Sequence, residues 1–357
     1  MTHNLATTNG QLDALWREEE RAHVLAFELR PATKIAVISD LHMGDGGRSD
    51  DLRRNTSAVA AALRHYAANG FTVILLGDVE DFWKFDLAAV KRQYEATIYR
   101  ELASLDGAAS PPRRIRVFGN HDIEWRALDD PATGDSKAGP RGAPEAVILK
   151  REGRPVALMV HGHQGSIDSD KAAWFSRFFV HIWGLLIEPA AHAIGWYPTN
   201  PAATECRVMA DFERSMYSWA KRAGAILICG HSHRAYFASR SRADVLRQSL
   251  GSSFPVDGSK YADAGRRKEL KDERRKGRDI GVLDDKGLVV PCYFNSGCGL
   301  YTTGLTAIEI DGVDDQIRLV FWNTEDGTRK VRRHDDLSGL LRDVTGRRAR
   351  KIEQGAL

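Results

Sequence analysis

Five times along this chain a short aliphatic run ends abruptly in small and polar residues of metal-binding type. "KIAVIS" leads into Asp40-Leu41-His42, "FTVILL" into Gly77-Asp78, and "RIRVF" into Gly119-Asn120-His121-Asp122. "VALMV" then leads into His161-Gly162-His163, and "AILIC" into Gly230-His231-Ser232-His233. Short apolar runs bounded by glycine read as buried strands. Segments with leucine and alanine at helical spacing separate the first three, at residues 50–70 and roughly 87–105. Alternating strand and helix implies a largely parallel sheet with helices outside, and in such sheets sites form beyond the C-terminal strand ends. Each of the five clusters stands at such an end.

The C-terminal third changes character. Residues 292–297, 305–310 and 316–322 read as strands joined by short turns such as "DGVDD", and are expected to supply a second, more antiparallel sheet. Residues 1–33 read as a helical extension. Two segments read as insertions: 166–222, aromatic and expected to be helical, a candidate lid, and 257–287, a run of mixed charge with little apolar content. The tail, 336–357, ends in basic and polar residues and is expected to be frayed or weakly docked.

Pooled, the clusters supply Asp40, His42, Asp78, Asn120, His161, His231 and His233: carboxylate, imidazole and amide donors with no thiolate. Such a set suits two divalent first-row metals better than a closed structural zinc. Seven donors exceed what one ion needs once room is left for water, and a carboxylate such as Asp78 can bridge two. Ions roughly 3.5–4 Å apart can clamp the attacking and leaving oxygens of an in-line displacement at phosphorus.

Each cluster has a plainer reading when taken singly. Asp40 and His42 could be the polar end of a strand, Asp78 a helix N-cap, and Asn120 a turn residue. It is their joint occurrence that favours ligation. His163 divides evenly between a cleft contact and a loop hydrogen bond. Glu80 and Asp81 either tune a ligand histidine or cap a turn. Asp45 and Arg234 are candidates for the cleft edge.

Composition removes several other classes. The four cysteines (Cys206, Cys229, Cys292, Cys298) have no C-x-x-C spacing, which argues against a disulfide framework and suits a reducing compartment. A net charge of +3 in 357 residues, without a basic stripe interleaved with aromatics, gives nucleic-acid binding no support. The N-terminus lacks the basic start and apolar core of a signal peptide. The most apolar stretch, 178–196, is broken by His181, Glu188, Pro189 and His192 and makes a poor membrane span. The cytoplasm is the expected location, with peripheral membrane contact left open and the oligomeric state unknown.

The ordered motifs D-L-H (40–42), G-D (77–78), G-N-H-D (119–122), H-G-H (161–163) and G-H-S-H (230–233) resemble those of the calcineurin-like metallophosphoesterase superfamily. The resemblance implies a four-layer αββα sandwich over 34–335. It assigns one metal to Asp40, His42, Asp78 and His233, and the other to Asp78, Asn120, His161 and His231. It implies two divalent ions, Mn²⁺ first with Fe, Zn or Co as alternatives, and attack of a metal-bridging hydroxide on a phosphomonoester or phosphodiester. His121 would act as general acid near the leaving oxygen, oriented by Asp122 or by another acidic group. His163, Arg234 and Asp45 are the candidate substrate contacts, and the substrate is a small-molecule or lipid-linked phosphoester.

Within the superfamily the motifs look most like those of the UDP-2,3-diacylglucosamine pyrophosphatases, through "SDLH", "GDVEDFW", "GHSHR" and a helical, partly apolar insertion between the fourth and fifth motifs. That subfamily carries arginine where this chain has His121, and H-G-D where this chain has H-G-H. An expectation from another class is a non-catalytic, metal-bearing scaffold, since fold does not fix function. A scaffold should have lost ligands or the His121 position, and this chain retains them all.

Overall fold

The computed structural model describes residues 5–18, 23–106, 113–128, 142–164, 207–251, 260–275 and 289–353. The first three motif strands, β2 (Lys34–Ile38), β3 (Thr72–Leu76) and β4 (Arg114–Val117), lie parallel and adjacent. Helix α2 (Thr56–Ala68) joins the first pair, and α3 (Leu87–Tyr94) and α4 (Arg100–Asp106) lie in the second connection. β9 (Gly304–Asp311), β10 (Gln316–Asn323) and β11 (Arg329–Asp336) extend this sheet antiparallel, in the order β11-β10-β9-β2-β3-β4. The second sheet runs β1-β5-β6-β7-β8 and contains β1 (Val24–Glu28), β5 (Ala146–Arg151), β6 (Arg154–Val160), β7 (Ile226–Cys229) and β8 (Tyr293–Asn295).

Side chains that alternate along β2 and β3 build the layers. Ile35, Val37, Ile74 and Leu76 join one core with Ile148, Leu158, Val160 and Ile228 of the other sheet. Ala36, Ile38, Val73 and Leu75 join a second core with Val59, Leu63 and Tyr66 of α2 and Leu102 of α4. The strand period of two sends alternate residues to opposite faces, so each strand is apolar throughout. Each buried aliphatic side chain of this kind contributes about 1.5–3 kcal/mol. Helix α5 (Arg207–Ala223) packs on β7 and β8, and its Phe212, Met216 and Trp219 enter the first core at i, i+4 and i+7. Helices thus flank a pair of mixed sheets, the α/β sandwich expected from the sequence.

Three expectations need correction. Residues 1–33 are not only helical: α1 (Leu5–Trp16) is followed by β1, which pairs parallel with β5 from Val24↔Ala146 to Glu28↔Lys150. At the sheet edge β1 is half-exposed and lacks the buried apolar run that announces β2 and β3. Next, the C-terminal strands do not form a sheet of their own. β8 joins β7 in the five-stranded sheet, while β9 and β10 join β2 in the other. Apolar pattern reveals that a strand exists but not its partner. Finally, the tail is docked: α8 (Leu337–Glu353) buries Leu337, Leu340, Leu341 and Val344 in the first core. These lie at i, i+3, i+4 and i+7, a narrow stripe that the basic run 347–351 after it masks.

Of the segments read as insertions, 165–206 lies outside the described residues and α5 occupies the remainder. Within 257–287, α7 (Lys260–Arg275) is described, and its Glu269 holds Arg242 of α6 (Arg242–Gly251) through two hydrogen bonds of 2.7 Å. Among the described residues no helix is long and apolar enough to cross a membrane.

Helix α5 carries one buried acid. Burial pushes the Glu213 carboxyl up to about 7 from its ordinary 4.5, against the pull of Arg234. Between those values the folded chain holds a proton that the unfolded chain releases, so this group's contribution to stability falls as pH rises through the window. Glu213→Gln is therefore expected to melt above the wild type at pH 8 and to match it near pH 5. Identical melting differences at both pH values would contradict this reading.

Candidate metal centre

The loops after β2 and β3 continue to pair beyond the strand ends. The backbone N–H of Asp40 donates to Gly77 (3.1 Å), that of His42 to Asp78 (3.0 Å), that of Met43 to Val79 (2.8 Å) and that of Asp81 to Met43 (3.0 Å). This pairing sets Asp40, His42 and Asp78 side by side. The other sheet is tied to them directly: the backbone N–H of His231 reaches both Asp40 oxygens, at 3.1 and 3.0 Å. Gly230 donates its N–H to the His161 carbonyl at 2.9 Å.

Five of the seven expected ligands hold left-handed backbone: Asp40 (φ 53°), His42 (φ 49°), Asp78 (φ 52°), His231 (φ 68°) and His233 (φ 56°). A non-glycine residue in this region costs about 1–3 kcal/mol and persists only where its surroundings over-determine it. The hydrogen bonds above do so. Strain repeated at five residues whose side chains converge on one place is a cost that folding alone does not require.

The donors form three overlapping groups, each with its atoms within 4.8 Å of one another: Asp40, His42 and His233; Asp78, His161 and His231; and His42, Asp78 and His121. Asp78 belongs to two of them. Its Oδ2 lies 3.1 Å from His161 Nε2 and 3.8 Å from His42 Nε2. Asn120 Oδ1 lies 3.2 Å from His161 Nε2, which places the seventh donor beside the others. His161 Nδ1 donates to the Leu76 carbonyl at 2.8 Å, leaving Nε2 to act as a ligand.

This set fits divalent cations. His42 Nε2 and His233 Nε2 face each other at 3.2 Å, and His233 Nε2 lies 3.3 Å from Asp40 Oδ1, so lone pairs converge with too few donors to meet them. Burial, and then the His121 charge, pushes His42 down to about 4. Burial, and then the His161 charge, pushes His231 down to about 3. Burial works to raise the Asp40 and Asp78 carboxyls, yet His161 and neighbouring imidazoles hold both below the usual range. His161 itself rises to about 10, since Asp78 and Asp40 overcome its burial. His42 and His231 are thus neutral and the carboxylates ionised, as ligands must be to take up metal, and a cation would displace the proton that Asp78 and Asp40 hold on His161.

His121 stands at the edge of the donors, with its ring 4.6 Å from that of His42. Its Nδ1 lies 2.8 Å from Asp81 Oδ1, and Lys84 Nζ lies 3.4 Å from the other Asp81 oxygen. Trp83 stacks on the His121 ring, with centroids 3.9 Å apart and planes 19° apart, and donates its indole N–H to the Asn120 carbonyl at 2.9 Å. Burial disfavours the imidazolium, but Asp81 and Asp78 raise the His121 pKa nonetheless.

The acid beside His121 is thus Asp81. Asp122, read from the sequence as the first candidate for that place, turns the other way. It accepts from the backbone N–H of Gly119 at 2.6 Å and of Val79 at 2.9 Å, tying the two loops together. Burial, then Asp78 and Glu80, raises its pKa to about 7. Glu80 is a buried anchor. It holds Arg116 at 2.6 and 3.1 Å, Tyr99 Oη at 2.8 Å and Trp125 Nε1 at 2.8 Å.

The three candidate substrate contacts fare differently. Asp45 lies at the rim of a cleft of about 590 Å³ beside Trp83. His163 is buried, its ring 5.7 Å from that of His161; burial and the His161 charge push it down to about 3. Arg234 is buried with its guanidinium 5.5 Å from the centre of the Tyr236 ring. Trp83 and Lys84 were missed from the sequence, although "GDVEDFWK" places them directly after Asp81 and Phe82.

Gly119 allows the loops their close approach: a Cβ there would collide with the Asp78 carboxylate and lie 2.6 Å from the Asp78 amide nitrogen. Gly119→Ala is expected to displace Asp78 and to weaken metal binding by ~10–100-fold, the scale seen when support around a ligand is lost. Metal content after dialysis checks this, with circular dichroism to confirm the fold.

A family model described as the calcineurin-like phosphoesterase superfamily domain matches residues 33–262. No curated protein matches the chain. Among solved structures, vacuolar protein sorting 29 from Cryptosporidium parvum aligns with a TM-score of 0.34 at 14% identity, covering 85% of this chain and 98% of that one. A single mutant of Vps29 from Entamoeba histolytica aligns with a TM-score of 0.30 at 12% identity, covering 85% of this chain and 99% of that one. Likenesses this distant carry nothing about what this chain does.

Proposed function

The chain belongs to the calcineurin-like phosphoesterase superfamily, and from that premise we propose that it is a hydrolase of phosphate monoesters or diesters that works with two divalent metal ions. The observation that carries this reading is Asp78, shared between two donor groups that together draw on both sheets. Asp40, His42, Asp78 and His233 would hold one ion, and Asp78, Asn120, His161 and His231 the other. Mn²⁺ is the first candidate, suited by the carboxylate and amide oxygens, with Fe, Zn or Co, which the four imidazoles suit, as alternatives. Bound there, the ions would lower the pKa of water to supply a nucleophile and would neutralise charge on the phosphoryl group.

The chain's own residues supply the rest. Asp81 accepts from His121 Nδ1, which leaves Nε2 to carry a proton to the departing oxygen. Trp83 fixes the plane of that ring by stacking on it. The His121 backbone N–H donates to Asp78 Oδ1 at 2.8 Å, so the acid is registered to the carboxylate shared by the two donor groups.

The test is turnover of 4-nitrophenyl phosphate and bis(4-nitrophenyl) phosphate by protein loaded with Mn²⁺. The expected result is hydrolysis that a chelator removes and Mn²⁺ restores, with the ratio of the two rates giving the ester preference. A folded, Mn²⁺-loaded protein that turns over neither would contradict the proposal. A lipid-linked pyrophosphate remains one member of the substrate class; most of the insertion that would hold an acyl chain lies at 165–206, outside the described residues.

A further inference from the structure

A cleft of about 590 Å³ opens beside the donors, walled on its apolar side by Phe82, Trp83, Phe85, Leu87 and Leu128. It adjoins the candidate centre through Trp83, which lines the cleft, stacks on His121 and donates to the Asn120 carbonyl. An oxygen departing beside His121 is therefore one Trp83 ring away from this space. The wall is held in place from behind. Phe85 fits against Gly44, where a Cβ would stand 2.5 Å from its ring, and Phe82 packs 5.7 Å from the Trp125 ring.

Charge narrows what the cleft accepts. Its described lining offers one cation, Lys84, which is already bonded to Asp51 at 2.9 Å and Asp81 at 3.4 Å and is 12% exposed. The other ionisable groups of the lining are Asp45, Asp86 and Glu124. Asp45 accepts from the Gly47 N–H and Asp86 caps α3 through the Ala89 N–H, each at 2.8 Å, and these neutral donors leave both charges uncompensated. Among the described residues of the lining, a carboxylate or second phosphate would meet uncompensated carboxylates and no cation beyond the already paired Lys84.

The geometry points to a substrate whose alcohol half is an uncharged, ring-sized apolar group, seated on the wall formed by Trp83, Phe85 and Leu87. This deepens the phosphoesterase reading, and rests on it for which half of the ester enters the cleft. The preference of the cleft itself does not depend on turnover.

The full-length protein is titrated with 2-naphthol and with 6-hydroxy-2-naphthoate, a neutral and an anionic probe of the same ring, and binding is read by calorimetry or ligand-observed NMR. Naphthol is expected to bind at least ~5-fold more tightly than the naphthoate, the order expected for one charge meeting like charge near a surface. Phe85→Ala is expected to weaken naphthol by ~10-fold through the lost ring contact. Leu128→Ser, at a residue 41% exposed and so of little consequence for folding, is expected to weaken it in the same direction. Glu124→Gln combined with Asp86→Asn, which keeps the helix cap, is expected to narrow the gap between the probes. Equal binding of the two probes, no binding of naphthol, or an unchanged naphthol affinity in both Phe85→Ala and Leu128→Ser would overturn the inference. Failure of the phosphoesterase reading shows instead as absent turnover of the nitrophenyl esters, so the two are told apart.

Discussion

Asp78→Ala is expected to abolish metal-dependent hydrolysis and to leave the protein with at most one tightly held ion. Among the described residues Asp78 is the donor common to the group with His42 and His121 and the group with His161 and His231. Removing an outer partner of a metal ligand typically costs ~10–100-fold in affinity or activity, so loss of a ligand common to two ions should exceed ~100-fold. Asp78 also accepts the His121 backbone N–H at 2.8 Å, so the alanine variant removes a loop tie as well as a ligand. Asp78→Asn separates these effects: it retains a hydrogen-bond acceptor of the same shape and removes the charge. Both variants should lose metal, measured by elemental analysis after dialysis, while the asparagine variant keeps the wild-type melting profile within a few degrees. Wild-type metal content and rate in either variant would show that Asp78 is not the shared ligand.

His121→Ala is expected to behave in the opposite way, retaining metal and losing chemistry. A positioned acid contributes ~10²–10⁴-fold, which sets the expected fall in kcat. The loss should depend on the leaving group. A nitrophenolate departs without help, so esters of nitrophenol should lose least, and phenyl or alkyl esters should lose most. Asp81→Asn should reproduce the same dependence in weaker form, since it removes the charge of the partner 2.8 Å from His121 Nδ1 and keeps the imidazole. Asp122→Asn should not reproduce it, because Asp122 accepts from the backbone of Val79 and Gly119. Equal losses across all leaving groups in His121→Ala would rule out the acid role, and an Asp122→Asn profile like that of Asp81→Asn would reverse the assignment.

The donors were legible because strands write a simple code. A run such as "TVILL" is apolar on both faces when helices cover one side and a second sheet the other, and the polar residue that ends it then stands out. Five such endings gave Asp40, His42, Asp78, Asn120, His161, His231 and His233 by position alone. Which way a side chain turns is not in that code. Asp81 and Asp122 are both acidic and both near His121, but only the pairing of the loops after β2 and β3 points Asp81 at the ring. The stacking of Trp83 depends on the same loop path and left no mark beyond an aromatic residue in the motif.

The fold was legible to a similar depth. Eight of the eleven described strands came through and β1, β5 and β11 did not; nor did sheet membership, since β8, β9 and β10 distribute themselves by pairing with β7 and β2 far away in the chain. The buried stripe of α8 was obscured because its four apolar residues precede a basic run at 347–351, and composition outweighs periodicity when a segment is read by its charge.

The central claim is that one cluster of side chains holds two divalent ions through a shared carboxylate. Anomalous X-ray scattering from crystals of the Mn²⁺-loaded protein tests it most directly. The account predicts two anomalous peaks, one among Asp40, His42, Asp78 and His233 and one among Asp78, Asn120, His161 and His231, with Asp78 contacting both. A single peak, peaks elsewhere, or two peaks without Asp78 between them would contradict it.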